Sequence, residues 1–324
     1  MFDVVALGEL LIDFTCASKD EAGYPTLAAN PGGAPGNFLA ALQAYGCTTA
    51  MLGKVGADAF GKLLVGTLES RGIDTRGIAM DPDVFTTLAF VTLDDTGNRE
   101  FSFARKPGAD TRLTEQEALA AGLIDECRVF HFGTLSLTDE PVHSATRAAI
   151  ACAKAQGKLI SLDPNLRKPL WKSEDEARAQ IERSLHQADI VKISDEEIDF
   201  LWGISPEAGA KKLLSEYGVS LVYATLGPRG CHAANRNGAI TVNSPKGIHV
   251  VDTTGAGDIF GGSAMSRFLA LGKRPGDLSV AEMTEIVRFA CCAASLSTQS
   301  HGGISSVVPE EQVLACVKET YIPR

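Results

Sequence analysis

The chain has 324 residues, 45% of them hydrophobic and 22% charged, enough to bury a large core and with no compositional sign of disorder. Forty acids against thirty bases leave a formal charge of −10, which argues against nucleic acid or an anionic membrane surface as a partner. No uncharged run reaches the ~18 residues of a membrane helix, the first residues lack the basic region and cleavage site of a signal peptide, and the eight cysteines form no C-x-x-C pair, so the expectation is a reduced, cytoplasmic protein.

In chain order, "VVALGE" (4–9) reads as a first strand, "APGNFLAALQAYG" (34–46) as a helix, "TTAMLGKV" (48–55) as a strand and "DAFGKLLVGTLESRG" (58–72) as a helix. The rhythm returns with "RVFHFG" (128–133), "EPVHSATRAAIACAKAQG" (140–157), "LISLD" (159–163), "EDEARAQIERSLHQA" (174–188), "IVKIS" (190–194) and "LVYATLG" (221–227). Such alternation predicts βαβ units, hence a mainly parallel sheet covered by helices on both faces in one domain over 1–324. "TTLAFVTLDDTGNREFSFAR" (86–105) breaks it: two alternating runs joined by "DDTGN" predict a β-hairpin. The stretch 13–31 reads as irregular, and with 84–107 it predicts a small β lid. "CHAANRNGAITVN" (231–243) predicts a second hairpin turning at Asn237-Gly238, and "HVV" (249–251) a short strand before a helix in "GDIFGGSAMSRFLALG" (257–272).

That last junction is chemically suggestive. Gly255, Ala256 and Gly257 would present bare backbone N–H groups at a helix N-terminus, an anion site with Asp258 standing inside it. Alternatively Asp258 is a first-turn acid complementing the helix dipole. "NPGGAPGN" places Gly32 and Gly33 where backbone can approach a polar ligand, and Asn37 where an amide can meet a hydroxyl, or merely start a helix. Asp13 ends the first strand region as a hydroxyl acceptor or a turn residue. Asp163, Asn165 and Arg167 sit at the carboxyl end of a strand, where open α/β sheets place ligands. Lys192 and the acids Asp195, Glu196 and Glu197 end the next; an acid there can order magnesium through water, or simply occupy a first helical turn.

Two near misses fall away. Gly56 to Lys62 fits G-x-x-x-x-G-K, yet Leu63 stands where a P-loop needs a hydroxyl and Asp58 would face the phosphates, so it is a strand-to-helix turn. No G-x-G-x-x-G follows the first strand, which speaks against a dehydrogenase. His131 and His301 lack zinc spacing and read as structural or incidental.

Together "GGAPGN", "GKVGADAFG", "FARKPGAD", "LDPNLRKPLW" and "DTTGAGDIFGG" resemble the ribokinase-like, or PfkB-type, sugar kinases, and among them the fructokinases, over nearly the whole chain. The resemblance implies a three-layer α/β/α domain with a β lid, and ATP-dependent phosphorylation of a sugar with magnesium. It implies Asp258 as catalytic base with Gly255, Ala256 and Gly257 as anion hole, and Asp13, Gly32, Gly33 and Asn37 at the sugar. Arg105 and Arg167 match arginines of the substrate region; Lys192, Thr225, Gly227 and Gly230 match the nucleotide side. Relatives often carry Asn-x-x-Glu where this chain has Ser194 ahead of Glu197, the acid expected to hold magnesium through water. Potassium activation, with Asp252 and Thr254 beside the 300–306 loop, is a further expectation, as is a homodimer formed through the lid edges. The alternatives are 2-keto-3-deoxygluconate kinase, because paired arginines can grip a carboxylate, and a non-catalytic sugar-binding regulator on the same scaffold.

Overall fold

The computed structural model describes residues 1–93 and 99–322, so the expected "DDTGN" turn lies outside the described residues. The strands are β1 (Phe2–Leu7), β2 (Leu11–Lys19), β3 (Pro25–Gly32), β4 (Thr49–Gly56), β5 (Asp74–Asp81), β6 (Thr87–Leu93), β7 (Arg99–Ala104), β8 (Cys127–Gly133), β9 (Leu159–Asp163), β10 (Ile190–Ser194), β11 (Leu221–Thr225), β12 (Cys231–Asn235) and β13 (Gly238–Val242). The helices are α1 (Ala34–Ala44), α2 (Ala59–Ser70), α3 (Glu115–Ala120), α4 (Val142–Ala155), α5 (Glu174–Leu185), α6 (Asp195–Trp202), α7 (Pro206–Glu216), α8 (Ala256–Ala270), α9 (Val280–Ser297) and α10 (Glu310–Tyr321).

Nine strands form the main sheet in the order β13-β12-β11-β10-β9-β8-β1-β4-β5, parallel from β11 to β5 and antiparallel at β12 and β13. Its central strands are apolar on both faces because helices cover both. Val5 and Leu7 join Phe130, Phe132, Ile160 and Leu162 on one side, while Val4 and Ala6 join Met51, Val129 and Tyr223 on the other. This is the period of two that a pleated strand imposes. From β1 the chain builds outward through β4 and β5, then returns to β8 on the other side of β1. That reversal opens a crevice at the carboxyl ends of the central strands.

The lid is a four-stranded sheet, β3-β2-β6-β7. Residues 13–31, expected to be irregular, are the regular hairpin β2–β3. Pro25 and Pro31 obscured it, and they are tolerated because β3 is an edge strand. The lid is tied down at Asp58, which caps α2 through Phe60 N and Gly61 N and also accepts from Thr86 N at 2.7 Å, just before β6. Phe14 stacks on Phe90 at 5.3 Å and meets Phe60 of α2 edge-on at 5.6 Å.

Two smaller expectations shift. The β12–β13 turn is Arg236-Asn237, closed by Asn237 N donating to Asn235 Oδ1, and Gly238 already pairs with Asn235. "HVV" is not a strand: Val250 and Val251 are exposed, and Val251 N and Asp252 N donate to Thr298 O beyond α9 instead of to a sheet edge.

Candidate active site

Asn37, Gly255, Gly257, Asp258, Lys192 and Arg167 come together around the N-terminal ends of α1 and α8. Gly255 caps α8 at φ 74° with no side-chain cap; Ala256 N turns back to the Thr253 carbonyl at 3.3 Å, and the N–H groups of Gly255 and Gly257 are left to a ligand. A Cβ at Gly255 would come within 2.8 Å of Gly303 Cα, and one at Gly257 within 3.1 Å of Lys192 Nζ. Glycine at these positions lets the turn pack beneath Asn37 and brings an ammonium to its flank.

Asp258 is more than a first-turn acid. Asn37 Nδ2 donates to its Oδ2 at 2.9 Å across 221 residues of chain. The residue is only partly buried, yet its carboxyl stands amid protein, and this desolvation pushes its pKa up from 3.8 to about 6. Repulsion from Asp163 adds to the rise, while Lys192, the Asn37 amide and Arg167 oppose it. Unlike an isolated aspartate, this group therefore titrates within reach of neutral pH.

Lys192, on β10, pairs with Asp163 Oδ2 at 2.9 Å, with both side chains nearly buried. Burial works against its charge, but Asp163, Glu197 and Asp258 outweigh it and push its pKa up, so the ammonium stays charged. Glu197 is nearly buried, its Oε1 accepting from Leu166 N and its Oε2 from Ser194 N, each at 2.8 Å. This is the capping box that starts α6. Each oxygen keeps a second lone pair, enough to accept from a metal-bound water. Among the described residues no cluster of three or more His, Cys, Asp or Glu could hold a metal by itself.

In the lid, Asp13 of β2 pairs with Asn30 of β3 and Gly32 with Leu11, and the Asp13 carboxylate lies where a Gly32 side chain would go. Gly33 precedes α1 at φ 108°, and a Cβ there would strike the carbonyl of Glu9. Asn37 Oδ1 is buried with no protein partner. Arg105 is 4% exposed and committed: Nε to Asp110 at 2.8 Å, Nη1 to Thr138 at 2.8 Å, Nη2 to the Leu135 carbonyl at 3.0 Å. Arg167 is half-buried, donates to the Leu166 carbonyl and acts electrostatically on Asp258.

Thr225 ends β11 beside Ser194 of β10, followed by Gly227 (φ 56°) and Gly230 (φ 109°). Asp252 is buried and organises its loop: Oδ1 accepts from Thr254 N at 2.8 Å and Oδ2 from Gly302 N at 3.0 Å. His131 is buried, stacked on Phe38 and neutral, burial pushing its pKa down to about 3. His301 is exposed, 3.6 Å from Asp252.

Sequence reasoning passed over Glu9. This wholly enclosed acid accepts from Ala34 N at 3.1 Å, its second oxygen has no partner, and burial pushes its pKa up to about 7. The signal was present, a lone charge inside the apolar run "VVALGELLI". Asp110, which takes both Arg105 and the Thr87 hydroxyl, carried no signal at all.

A three-layer α/β/α domain with a small β lid, and an acid at a glycine-lined helix start in its crevice, defines a kinase of the ribokinase-like fold acting on a small hydroxylated substrate. Residues 1–311 match the pfkB family of carbohydrate kinases. The chain belongs to that family. It is 41% identical to Fructokinase-1 of Zea mays over 320 residues, covering 98% of each chain. Among solved structures it is similar to fructokinase with bound ATP from Xylella fastidiosa (TM-score 0.87, 28% identity, 98% of this chain and 99% of that one). It is also similar to fructokinase from Vibrio cholerae O395 in its fructose-, ADP- and calcium-bound form (TM-score 0.83, 30% identity, 98% and 99%).

Proposed function

We propose that this protein is an ATP-dependent fructokinase that makes fructose 6-phosphate and ADP. The observation that carries the reading is Asp258, held by Asn37 at 2.9 Å and placed one residue past the bare glycine turn of α8. There a carboxylate can align a primary hydroxyl against a phosphoryl group held by backbone N–H donors. As the hydroxyl oxygen bonds to the γ-phosphorus, the bond to the ADP oxygen breaks and the hydroxyl proton passes to Asp258. Such transfers have a loose transition state, so alignment and charge stabilisation do most of the catalysis.

Asp13, Gly32 and Gly33 line the sugar end, and the unpartnered Asn37 Oδ1 is a ready acceptor for a sugar hydroxyl. Lys192 meets developing negative charge at Gly257, and Thr225, Gly227 and Gly230 border the nucleotide. Magnesium would neutralise charge on the phosphates, and Glu197 suits holding it through water, since its oxygens are already bonded to backbone. Potassium is read at the loops that Asp252 joins, near Thr254 and Gly302.

The lid edges carry exposed Tyr24 and Leu27, with Phe85 exposed just ahead of β6, which supports pairing of two lids in a homodimer. All eight cysteines are free, in keeping with a cytoplasmic setting. No helix among the described residues is long and apolar enough to cross a membrane.

The 2-keto-3-deoxygluconate reading asks Arg105 to grip a carboxylate, but each of its three nitrogens is already bonded, to Asp110, Thr138 and the Leu135 carbonyl. A non-catalytic sugar-binding regulator would have no use for a base at an anion hole. The test is coupled ADP release with MgATP and fructose, run beside 2-keto-3-deoxygluconate, ribose and glucose. Fructose should lead in kcat/KM by at least about tenfold, a margin a site hydrogen-bonding its substrate readily reaches. If the keto-acid leads, the sugar assignment fails and the phosphotransfer stands; if none reacts, the kinase reading fails.

A further inference from the structure

Three carboxylates act on the Lys192 ammonium, Asp163 at the end of β9 in direct contact and Glu197 in the first turn of α6 and Asp258 in the first turn of α8 through their fields. Glu197 is occupied by two backbone N–H groups. Asp163 forms the direct bond, Nζ to Oδ2 at 2.9 Å, and its Oδ1 accepts from Asn165 N at 3.2 Å. Asn165 stands at φ 47°, the only non-glycine residue at positive φ among the described residues, so Asp163 braces a strained turn with one oxygen and holds the ammonium with the other. Without that hold, Asp258 is the carboxylate left to draw Lys192 in, and an ammonium bonded to it competes with the sugar hydroxyl.

We propose that Asp163 is a positioning residue for phosphoryl transfer, which fixes the Lys192 ammonium against Gly257 and keeps it from closing onto Asp258. The proposal rests on the phosphotransfer reading above. Around Asp258 the facing groups are Asp163 from β9, Arg167 from the loop after it, Lys192 from β10 and the neutral Asn37 amide from α1. Removing the Asp163 charge deletes a repulsion and frees a cation, and both changes favour ionised Asp258. The base then becomes weaker and more tightly paired.

The test is Asp163→Asn, which can still accept from Asn165 N. We expect kcat to fall at least about tenfold, within the range of general-base effects, while KM for fructose changes less than about twofold. The titration of Asp258 should move down by about one pH unit. It is followed both as the acidic limb of kcat/KM and by carboxyl-carbon NMR, with the Asp258 signal assigned by its loss in Asp258→Asn. The NMR arm needs no turnover, so an enzyme inactive on fructose would sink the functional reading and leave this one under test. An unmoved Asp258 titration, or a loss confined to fructose KM, overturns the proposal. Should Asp163→Asn fail to fold, Asp163→Glu keeps the charge but displaces the ammonium by one methylene. It should also lose kcat, with the Asp258 titration held near its wild-type position; wild-type kcat in that variant overturns the proposal.

Discussion

Replacing Asp258 with asparagine should abolish turnover and strengthen the fold at the same time. The carboxyl is raised from 3.8 to about 6, so between those values the native chain holds a proton that the unfolded chain has already lost. Stability contributed by this group therefore falls as pH rises through that window, and above about pH 6 the fold carries the full penalty of an ionised, poorly solvated carboxylate. Two units correspond to about 3 kcal/mol. Because the residue keeps some contact with solvent, that figure is an upper bound, and about 1–2 kcal/mol is the working expectation. Asparagine keeps an acceptor for Asn37 Nδ2 and removes the charge, so Tm at pH 7.5 should rise by roughly 1.5–3 °C for a chain of this size. At pH 4 the difference should largely vanish. Loss of a general base costs about 10²–10⁴ in rate, measured by coupled ADP release at saturating fructose and MgATP. A variant keeping more than about a tenth of wild-type kcat would refute the base assignment. A lower Tm at pH 7.5, by calorimetry, would refute the electrostatic account of the site.

In the wild type, kcat/KM should fall about tenfold between pH 7.5 and 5, as the ionised fraction of a group near 6 falls to about a tenth; a flat profile would mean an unperturbed base. Gly33→Ala puts a Cβ at φ 108° against the Glu9 carbonyl and should raise fructose KM by about tenfold or more, at a cost of about 1–3 kcal/mol in urea melts. Asp58→Ala removes the α2 cap and the Thr86 tether, so about 1–2 kcal/mol should be lost. That loss should shrink in acid, because burial is outweighed by the Thr86, Gly61 and Phe60 bonds and the carboxyl is held below its usual range, its contribution disappearing as pH falls through the lowered value. Arg105→Ala should lower Tm sharply and leave the preference for fructose over 2-keto-3-deoxygluconate unchanged; a swing in that preference would restore the carboxylate role.

The sequence made the architecture readable wherever period and burial agreed. The parallel strands from "VVAL" to "LVYAT" are apolar throughout because both faces are covered, and the helices between them carry their own caps, as at Asp58, Ser173 and Ser194. Residues 13–31 were opaque because an exposed edge hairpin needs no apolar alternation, and "HVV" misled because β-branched residues also occupy exposed loops. At the site, the residue types were legible and their pairings were not. Nothing in the spacing of Asn37 and Asp258 announces a bond across 221 residues. Nor could the sequence show that Arg105 is consumed by Asp110, that Glu197 caps its own helix, or that Asp258 is far from an ordinary aspartate. Each of these is a product of the tertiary contacts and of the desolvation they impose.

Four uncomfortable features of the molecule stand at one end of the sheet. A carboxylate raised to about 6, a second enclosed acid at about 7, an asparagine at φ 47° and a buried amide oxygen without a partner lie in Asp258, Glu9, Asn165 and Asn37. None of them helps the chain fold, and the large apolar layers on both faces of the sheet hold them in place. Three of the four discomforts share a chemical sense: an acceptor has no donor from the protein, or a carboxyl is buried where its charge is disfavoured. A sugar supplies hydroxyl donors, and transfer of its proton discharges the carboxylate. The unsatisfied polarity of the crevice is thus complementary to a polyol giving up a proton, and that complementarity, together with the cationic flank at Lys192 and the N–H groups at the start of α8, favours phosphoryl transfer over binding alone.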